Sequence, residues 1–286
     1  MGEEFQPPPL PNPYPQHNKI DFGIEQDFPI YLVQHPELVT DDPAAADWHY
    51  LPIWWTRYQV GHDFQRTDRA PLQAEVEKRT LDAARTFTIV DYSEGPYADM
   101  PEVTQFVTSN IGQNIIDVPL LCDPHPLPFI LPKKRWLASF AGVIENRHPI
   151  REEMQRVFGG RHNFEIHGFN IGTNFFVNQM LESYVALAPR GYGCTSYRFY
   201  EALQLGVCPI LISDVDNRPF KKWIDWDTCS AYAKTVGEVE SLLENTPPEE
   251  WLRRGERAAR AYREVLAYGQ WCRYVLKELE DKKEKR

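Results

Sequence analysis

The chain has 286 residues, 42% hydrophobic and 13% aromatic, which suits one large or two small globular domains and excludes a disordered chain. Its formal charge of −10 argues against nucleic acid or an anionic membrane as the main partner, so an anionic ligand needs a local basic cluster. The five cysteines (Cys122, Cys194, Cys208, Cys229, Cys272) form no C-x-x-C pair, so they are expected as reduced, mostly buried thiols, as in a reducing compartment.

Residues 1–20 are proline-rich and are expected to form an extended tail. No apolar run approaches the roughly 18 residues of a membrane span, and no signal-peptide core is present, so a soluble protein is expected. A first strand is predicted over 28–34, FPIYLVQ. DDPAAADWHYLPIWW, 41–55, reads as a helical turn and a second strand. Residues 70–85 are rich in helix formers and close on basic residues, which predicts a helix. Strands are predicted at TFTIVDY, 86–92, and at NIIDVPLL, 114–121. DPHPLPFILPKKR, 123–135, holds four prolines and reads as a linker.

Beyond it the alternation is regular. Strands at 136–143, 164–169, around 185–189 and at 207–213 alternate with helices at 151–158, 178–184 and from Thr195 to Gly206. SAYAKTVGEVESLLENT, 230–246, leads through a turn to a further helix, and 247–286 reads as a long helical tail. This pattern predicts parallel sheets with right-handed crossovers. The expected domains are a 1–20 tail, a 21–130 acceptor-binding half, a 131–250 nucleotide-sugar-binding half and C-terminal helices over 251–286.

APRGYGCTSYRFYEALQLGVCPILISD, 188–214, carries the chemistry. It runs strand, glycine turn, helix, strand. Gly191 and Gly193 suit close backbone approach or positive φ, and Thr195 or Ser196 suits an N-cap. A helix starting there aims N–H groups and a positive dipole end at the loop. Arg190 and Arg198 add guanidinium groups that match a diphosphate, and Glu201 is placed to accept the hydroxyls of a ribose. The competing reading makes Arg198 and Glu201 a plain surface ion pair. G-x-G-x-x-G and the P-loop are absent, as are H-E-x-x-H among the eight histidines and a G-x-S-x-G elbow.

The stretch from Pro189 to Asp214, followed by RPFKKWIDWDTCS, resembles the exostosin-like glycosyltransferases, glycosyltransferase family 47. The shared pattern is Pro-x-Gly, Ser-x-Arg, Glu-Ala, Gly-x-x-Pro, then Pro-Phe and Asp-Trp. DPAAADWHYLPIWW, TFTIVDYSEGPY, NIIDVPLL and LASFAGVIENRHPIREEM resemble upstream segments of the same family, so the likeness covers residues 28–232. The chain resembles in particular the small soluble members of large algal DNA viruses, lacking the membrane anchor usual elsewhere in the family.

The resemblance implies a GT-B architecture: an α/β protein of two Rossmann-like domains facing a cleft, with a C-terminal helical segment. It implies inverting transfer from an α-linked UDP-sugar to a hydroxyl of a glycan or glycoprotein acceptor. The candidate donor-site residues are Arg190, Gly191, Tyr192, Gly193, Cys194, Thr195, Ser196, Arg198, Glu201, Arg151 and Gly142, with Val143 beside them. The general base is expected from the N-terminal half: Asp91, Glu94, or Asp63 with His62 beside it. Trp54, Trp55, Tyr58 and Tyr92 can stack on acceptor sugars or pack as core and rim. Asp214-x-Asp216 mimics a metal-binding Asp-x-Asp, but with arginines supplied, no metal cofactor is expected to be required. A neutral sugar such as xylose or galactose is favoured, for want of an extra cation. The expected location is cytoplasmic, the host cytoplasm for a viral protein, or the Golgi lumen if an anchor has been removed. The rival function is a non-catalytic nucleotide-sugar or glycan-binding protein on the same fold. A phosphorylase-like enzyme would instead need an inorganic-phosphate site.

Overall fold

The computed structural model describes residues 4–7, 23–62, 64, 68–145, 148–169 and 172–286, so most of the 1–20 tail lies outside the described residues. The chain divides into two compact units, Met1–Asp123 with Tyr268–Arg286, and Pro124–Ala267.

The first unit holds α1 (Gly23–Gln34), β1 (His49–Tyr50), α2 (Trp55–Gly61), α3 (Ala70–Arg79), β2 (Thr86–Val90), β3 (Thr104–Thr108), β4 (Ile115–Val118) and α10 (Gln270–Glu284). Its sheet is parallel, in the order β1-β2-β3-β4. Leu51, Ile53, Trp55, Tyr58, Leu72 and Val76 pack with Val90, Val103 and Val107 into its core. The strand predicted at 28–34 is helix. Ile24, Phe28 and Tyr31 are its buried apolar side chains, spaced by four and then three as on one helical face. A reading begun at Phe28 omits Ile24 and leaves an apolar run of ambiguous period. The second predicted strand shrinks to two residues, and Trp55 opens a helix.

The second unit holds β5 (Trp136–Ala141), α4 (Ile150–Phe158), β6 (Phe164–His167), α5 (Thr173–Leu181), β7 (Ser183–Pro189), α6 (Tyr197–Leu205), β8 (Cys208–Ile212), α7 (Trp226–Cys229), β9 (Ala231–Ala233), α8 (Val236–Asn245) and α9 (Pro248–Ala261). Its sheet is parallel throughout, in the order β6-β5-β7-β8-β9. Ala138, Phe140, Val185, Leu187, Ile210 and Ile212 face a core with Met154, Val239 and Trp251. The alternate residues Ala141 and Ala186 face Phe176, Met180, Ala202 and Leu205. Period-two alternation thus buries both faces under helices, the doubly wound arrangement. The chain leaves β5 for β6 on one side and resumes with β7 on the other, so the strand order reverses between β5 and β7.

The helical tail predicted over 247–286 is broken. After α9, Tyr262–Leu266 form a π turn, Ala267 is extended and Gly269 sits at φ +71°. Asp27 Oδ2 accepts hydrogen bonds from the Gly269 N–H and Trp271 Nε1, both at 2.7 Å, tying the last helix to α1. The expected separate segment 251–286 is therefore shared between the two units, and the division falls at 123/124 where a break near 130 was expected. Strands β3 and β9, not predicted, are short and rich in Thr, Gln and Ala. No helix among the described residues is long and apolar enough to cross a membrane.

Gly206 caps α6 in the left-handed region at φ +71°, and α9 crosses directly over it at Gly255. A Cβ on residue 255 would press on the carbonyl oxygen of Gly206, its carbon only 3.2 Å away. Gly255→Ala gains about 1 kcal/mol of helix propensity but forces two backbones apart, a cost of about 1–3 kcal/mol. The expected result is a net loss in urea unfolding; a variant more stable than the parent would refute this packing.

Candidate functional site

The carboxyl ends of β5 and β7, on either side of the strand-order reversal, are where an open α/β sheet holds its ligands. The Arg190 N–H bonds to Ile212 O at 2.9 Å, carrying the ladder one residue past β7. The chain then turns, closed by the Gly191 N–H to Thr195 O at 2.9 Å. Ser196 is extended and its Oγ accepts the Arg198 N–H at 3.2 Å, so Ser196 is the N-cap of α6. Buried Phe199, Tyr200, Ala202 and Leu203 seat the helix, which leaves Arg198 and Glu201 on its first two turns.

Three arginines converge here. Arg198 Nε donates to Ala141 O, the last residue of β5, at 2.7 Å, and its guanidinium lies 4.2 Å over the Phe176 ring. Arg151, from the first turn of α4, donates Nη1 to Val143 O at 2.7 Å and Nε to Arg190 O at 3.2 Å. Burial, reinforced by the charge of Arg198, lowers the Arg151 pKa to about 10, which leaves it cationic at neutral pH. Arg190 Nε donates to Gly193 O at 3.1 Å and its Nη1 pairs with the Asp214 carboxylate. Strand-end carbonyls therefore aim the guanidinium groups, the preorganisation that anion binding requires.

Glu201 is 8% exposed. One carboxylate oxygen pairs with Arg198 Nη1 and the other with His125 Nε2 at 3.2 Å. Burial pushes its pKa upward, but the Arg198 charge and the His125 bond outweigh it, and the carboxyl is held below its ordinary range. The surface ion-pair reading of Arg198–Glu201 is thus corrected, because the pair is largely buried. His125 was missed. It lies in the proline-rich segment read as linker, where its own backbone N–H is held by Gln204 Oε1 at 2.6 Å.

Most of the sequence-predicted donor residues are brought together, with two changes in their roles. Gly191 and Gly193 are not among the positive-φ glycines. Instead, a Cβ on residue 191 would lie 3.3 Å from Arg151 Nη2 and crowd that guanidinium. A Cβ on residue 142 would likewise lie 3.1 Å from the Phe140 ring and 3.6 Å from Arg198 Nε. Around the turn, Tyr192 is exposed, Cys194 is half-buried with its carbonyl bonded to Ser213 Oγ at 2.7 Å, and Thr195 is buried. Asp214 and Asp216 face different cations: Asp214 faces Arg190 with His148 at 4.0 Å, and Asp216 faces Arg218 and Lys221. Among the described residues no group of three or more His, Cys, Asp or Glu could hold a metal ion. A concavity of about 580 Å³ lies elsewhere on this unit, lined by Trp136, Glu165, His167, Phe169 and Phe175, and contains none of these residues.

In the first unit Asp91 follows β2, half-buried, its N–H bonded to Glu25 Oε1 at 2.8 Å. Glu94 is exposed and accepts from the Tyr92 and Tyr97 hydroxyls. Asp63 lies outside the described residues, and His62 stacks on Tyr58 at 4.0 Å. The aromatic expectation is corrected in part. Trp55 is fully buried with Nε1 bonded to Thr88 Oγ1 at 2.7 Å, and Tyr58 is 4% exposed beneath Phe5, so neither presents a face to a sugar. Trp54, covered on one side by Arg57, and Tyr92 are the half-buried ones.

The model of the exostosin GT47 domain matches residues 91–245, more than half of the 286-residue chain. The chain belongs to the exostosin GT47 family. Exostosin-1 of Drosophila melanogaster is 37% identical over 65 residues, 22% of this chain and 9% of its own length. A probable glycosyltransferase of Arabidopsis thaliana is 26% identical over 133 residues, 46% of this chain and 24% of its own. The matches therefore span at most about a quarter of these relatives' own length. The crystal structure of TarM aligns over 74% of this chain and 57% of that one, at 8% identity and TM-score 0.37. At that distance the fold description rests on the two parallel sheets themselves.

Proposed function

We propose that the chain is an inverting glycosyltransferase that moves a neutral sugar, such as xylose or galactose, from a UDP-sugar to a hydroxyl of a glycan or glycoprotein. The observation that carries this reading is the convergence of Arg151, Arg190 and Arg198 on the capped start of α6, beside the buried Glu201. Membership of a glycosyltransferase family supports it.

In this mechanism Glu201 orients the ribose. The guanidinium groups and the positive end of the α6 dipole bind the diphosphate. The acceptor oxygen attacks the anomeric carbon from the face opposite the α-linked diphosphate, and its proton passes to Asp91. The bond from the anomeric carbon to the diphosphate oxygen breaks, and UDP leaves with the added charge. Three fixed cations meet that charge as it develops, so the mechanism does not require a divalent metal. They are all assigned to the diphosphate, which is why a neutral sugar is favoured.

UDP at 100 times its Kd should stabilise the protein by about 2.7 kcal/mol, read as a rise in Tm. One UDP-sugar in a donor screen should then release free UDP faster with an acceptor present, and EDTA should leave that rate unchanged. Binding without release on any donor and acceptor would favour the non-catalytic reading. No nucleotide stabilisation would sink both, and loss of transfer in EDTA with recovery in Mn²⁺ would overturn the metal-free step.

A further inference from the structure

Glu25 is the least expected ionisable group in the protein. It sits in the first turn of α1 and is 1% exposed. Its Oε1 accepts from the Thr56 N–H at 3.1 Å, the Thr56 hydroxyl at 2.8 Å and the Asp91 N–H at 2.8 Å. Oε2 shares the Thr56 N–H at 3.1 Å. One carboxyl thus ties together α1, the start of α2 and the residue that follows β2. No cation is among its described partners. The ionisable groups that face it are the Asp91 carboxyl and the Tyr50 phenol, with Cys272 of α10 facing Tyr50 and Tyr268 facing Asp91.

Burying an uncompensated carboxylate is costly, and an amide or hydroxyl could make the same ties without that cost. Two neighbouring carboxyls with little solvent cannot both ionise cheaply, so one keeps a proton. Asp91 is half-buried whereas Glu25 is sealed, and this difference decides which one. Burial, with the Asp91 charge adding to it, pushes the Glu25 pKa to about 8 despite the bonds from Asp91 and Thr56. Paired carboxyls whose surroundings push their proton affinities apart are a recurrent arrangement for acid–base work.

We infer that Glu25 is a positioning residue for Asp91: it anchors the backbone after β2 and, by keeping the proton of the pair, leaves the negative charge on Asp91. This rests on Asp91 being the base of the proposed transfer. At neutral pH the neutral Glu25 holds Asp91 in place without competing for charge. Above about pH 8 Glu25 ionises beside Asp91, both carboxyls are charged, and the corner is strained.

Transfer by the wild-type protein should fall above about pH 8. Glu25→Gln, which keeps the shape and an oxygen for the three bonds that Oε1 accepts, gives up the shared bond at Oε2 and carries no titrating proton, should retain transfer at pH 7 and lose that alkaline fall. Glu25→Ala should lower kcat on the order of 100-fold while leaving the Kd for UDP within about twofold, as expected when a reacting group is misplaced. A merely structural Glu25 would change Tm without changing the pH profile. An alkaline limb unchanged in Glu25→Gln, or full kcat in Glu25→Ala, overturns the inference. Should Glu25→Ala fail to fold, the Glu25→Gln profile still decides. A second readout is independent of catalysis: carboxyl ¹³C NMR of the wild-type protein should show Glu25 protonated and Asp91 ionised at pH 7. Glu25 titrating as an ordinary carboxylate would overturn the inference even with transfer intact. Absence of transfer on every donor, with this titration as expected, would instead fault the proposed function.

Discussion

Arg198→Ala is expected to weaken UDP binding by about 100-fold or more and to lower the unfolding free energy by about 3–5 kcal/mol. Arg198 pairs with Glu201, holds the last carbonyl of β5 and lies on Phe176. Its removal leaves Glu201, 8% exposed, with His125 as its remaining described partner. The cost is therefore mostly that of a buried charge left behind, which exceeds the worth of the pair itself. Arg161–Glu240 supplies the contrast on the same unit. Its N–O distance is 2.6 Å, but both side chains are more than 40% exposed, so Arg161→Ala should change stability by less than about 1 kcal/mol and UDP affinity not at all. Arg198→Lys should be intermediate, since one ammonium cannot reproduce the planar fork. Urea unfolding and calorimetric titration with UDP check both numbers. UDP affinity within threefold of the parent in Arg198→Ala would remove this arginine from the donor site.

The second large effect is on stability as a function of pH. The Glu25 carboxyl has an ordinary value of 4.5 and is raised to about 8 in the folded protein. Its proton is held more tightly folded than unfolded, so its contribution to stability is fully present below pH 4.5. That contribution is lost as pH rises from there through about 8. At 1.36 kcal/mol per pKa unit the loss has an upper bound of roughly 5 kcal/mol. Glu25→Gln removes the titration, so the difference in stability between variant and parent should grow in favour of the variant between about pH 5 and 8.5. Groups shared by both proteins cancel in that difference. Parallel curves of Tm against pH for the two proteins would show that Glu25 ionises normally in the fold.

The elements of the candidate donor site were legible because their chemistry is local. β7, the turn, the Ser196 cap, Arg198, Glu201 and β8 all fall between residues 183 and 212, and strand, cap and helix signals act over three or four residues. The family pattern added Arg151 and Gly142, and the fold placed both beside Arg198. Trp55 shows where such reading stops. A large aromatic before a helix suits a core or a sugar-stacking rim equally well, and only packing against Thr88, 33 residues on, decided for the core.

The sequence by itself determined the class of fold in the second unit, the cap and the arginines of the candidate donor site. It also determined the family to which the chain belongs. Only the tertiary structure decided the state of the buried polar groups. His125 reaches Glu201 across 76 residues, Glu25 reaches Thr56 and Asp91 across 31 and 66, and Asp27 reaches Trp271 across 244. It also decided that the last helix belongs with the first. The physical reason is that caps, turns and periodic faces are settled by neighbours along the chain. A buried carboxyl takes its charge, its partners and hence its role from whatever the completed core brings against it.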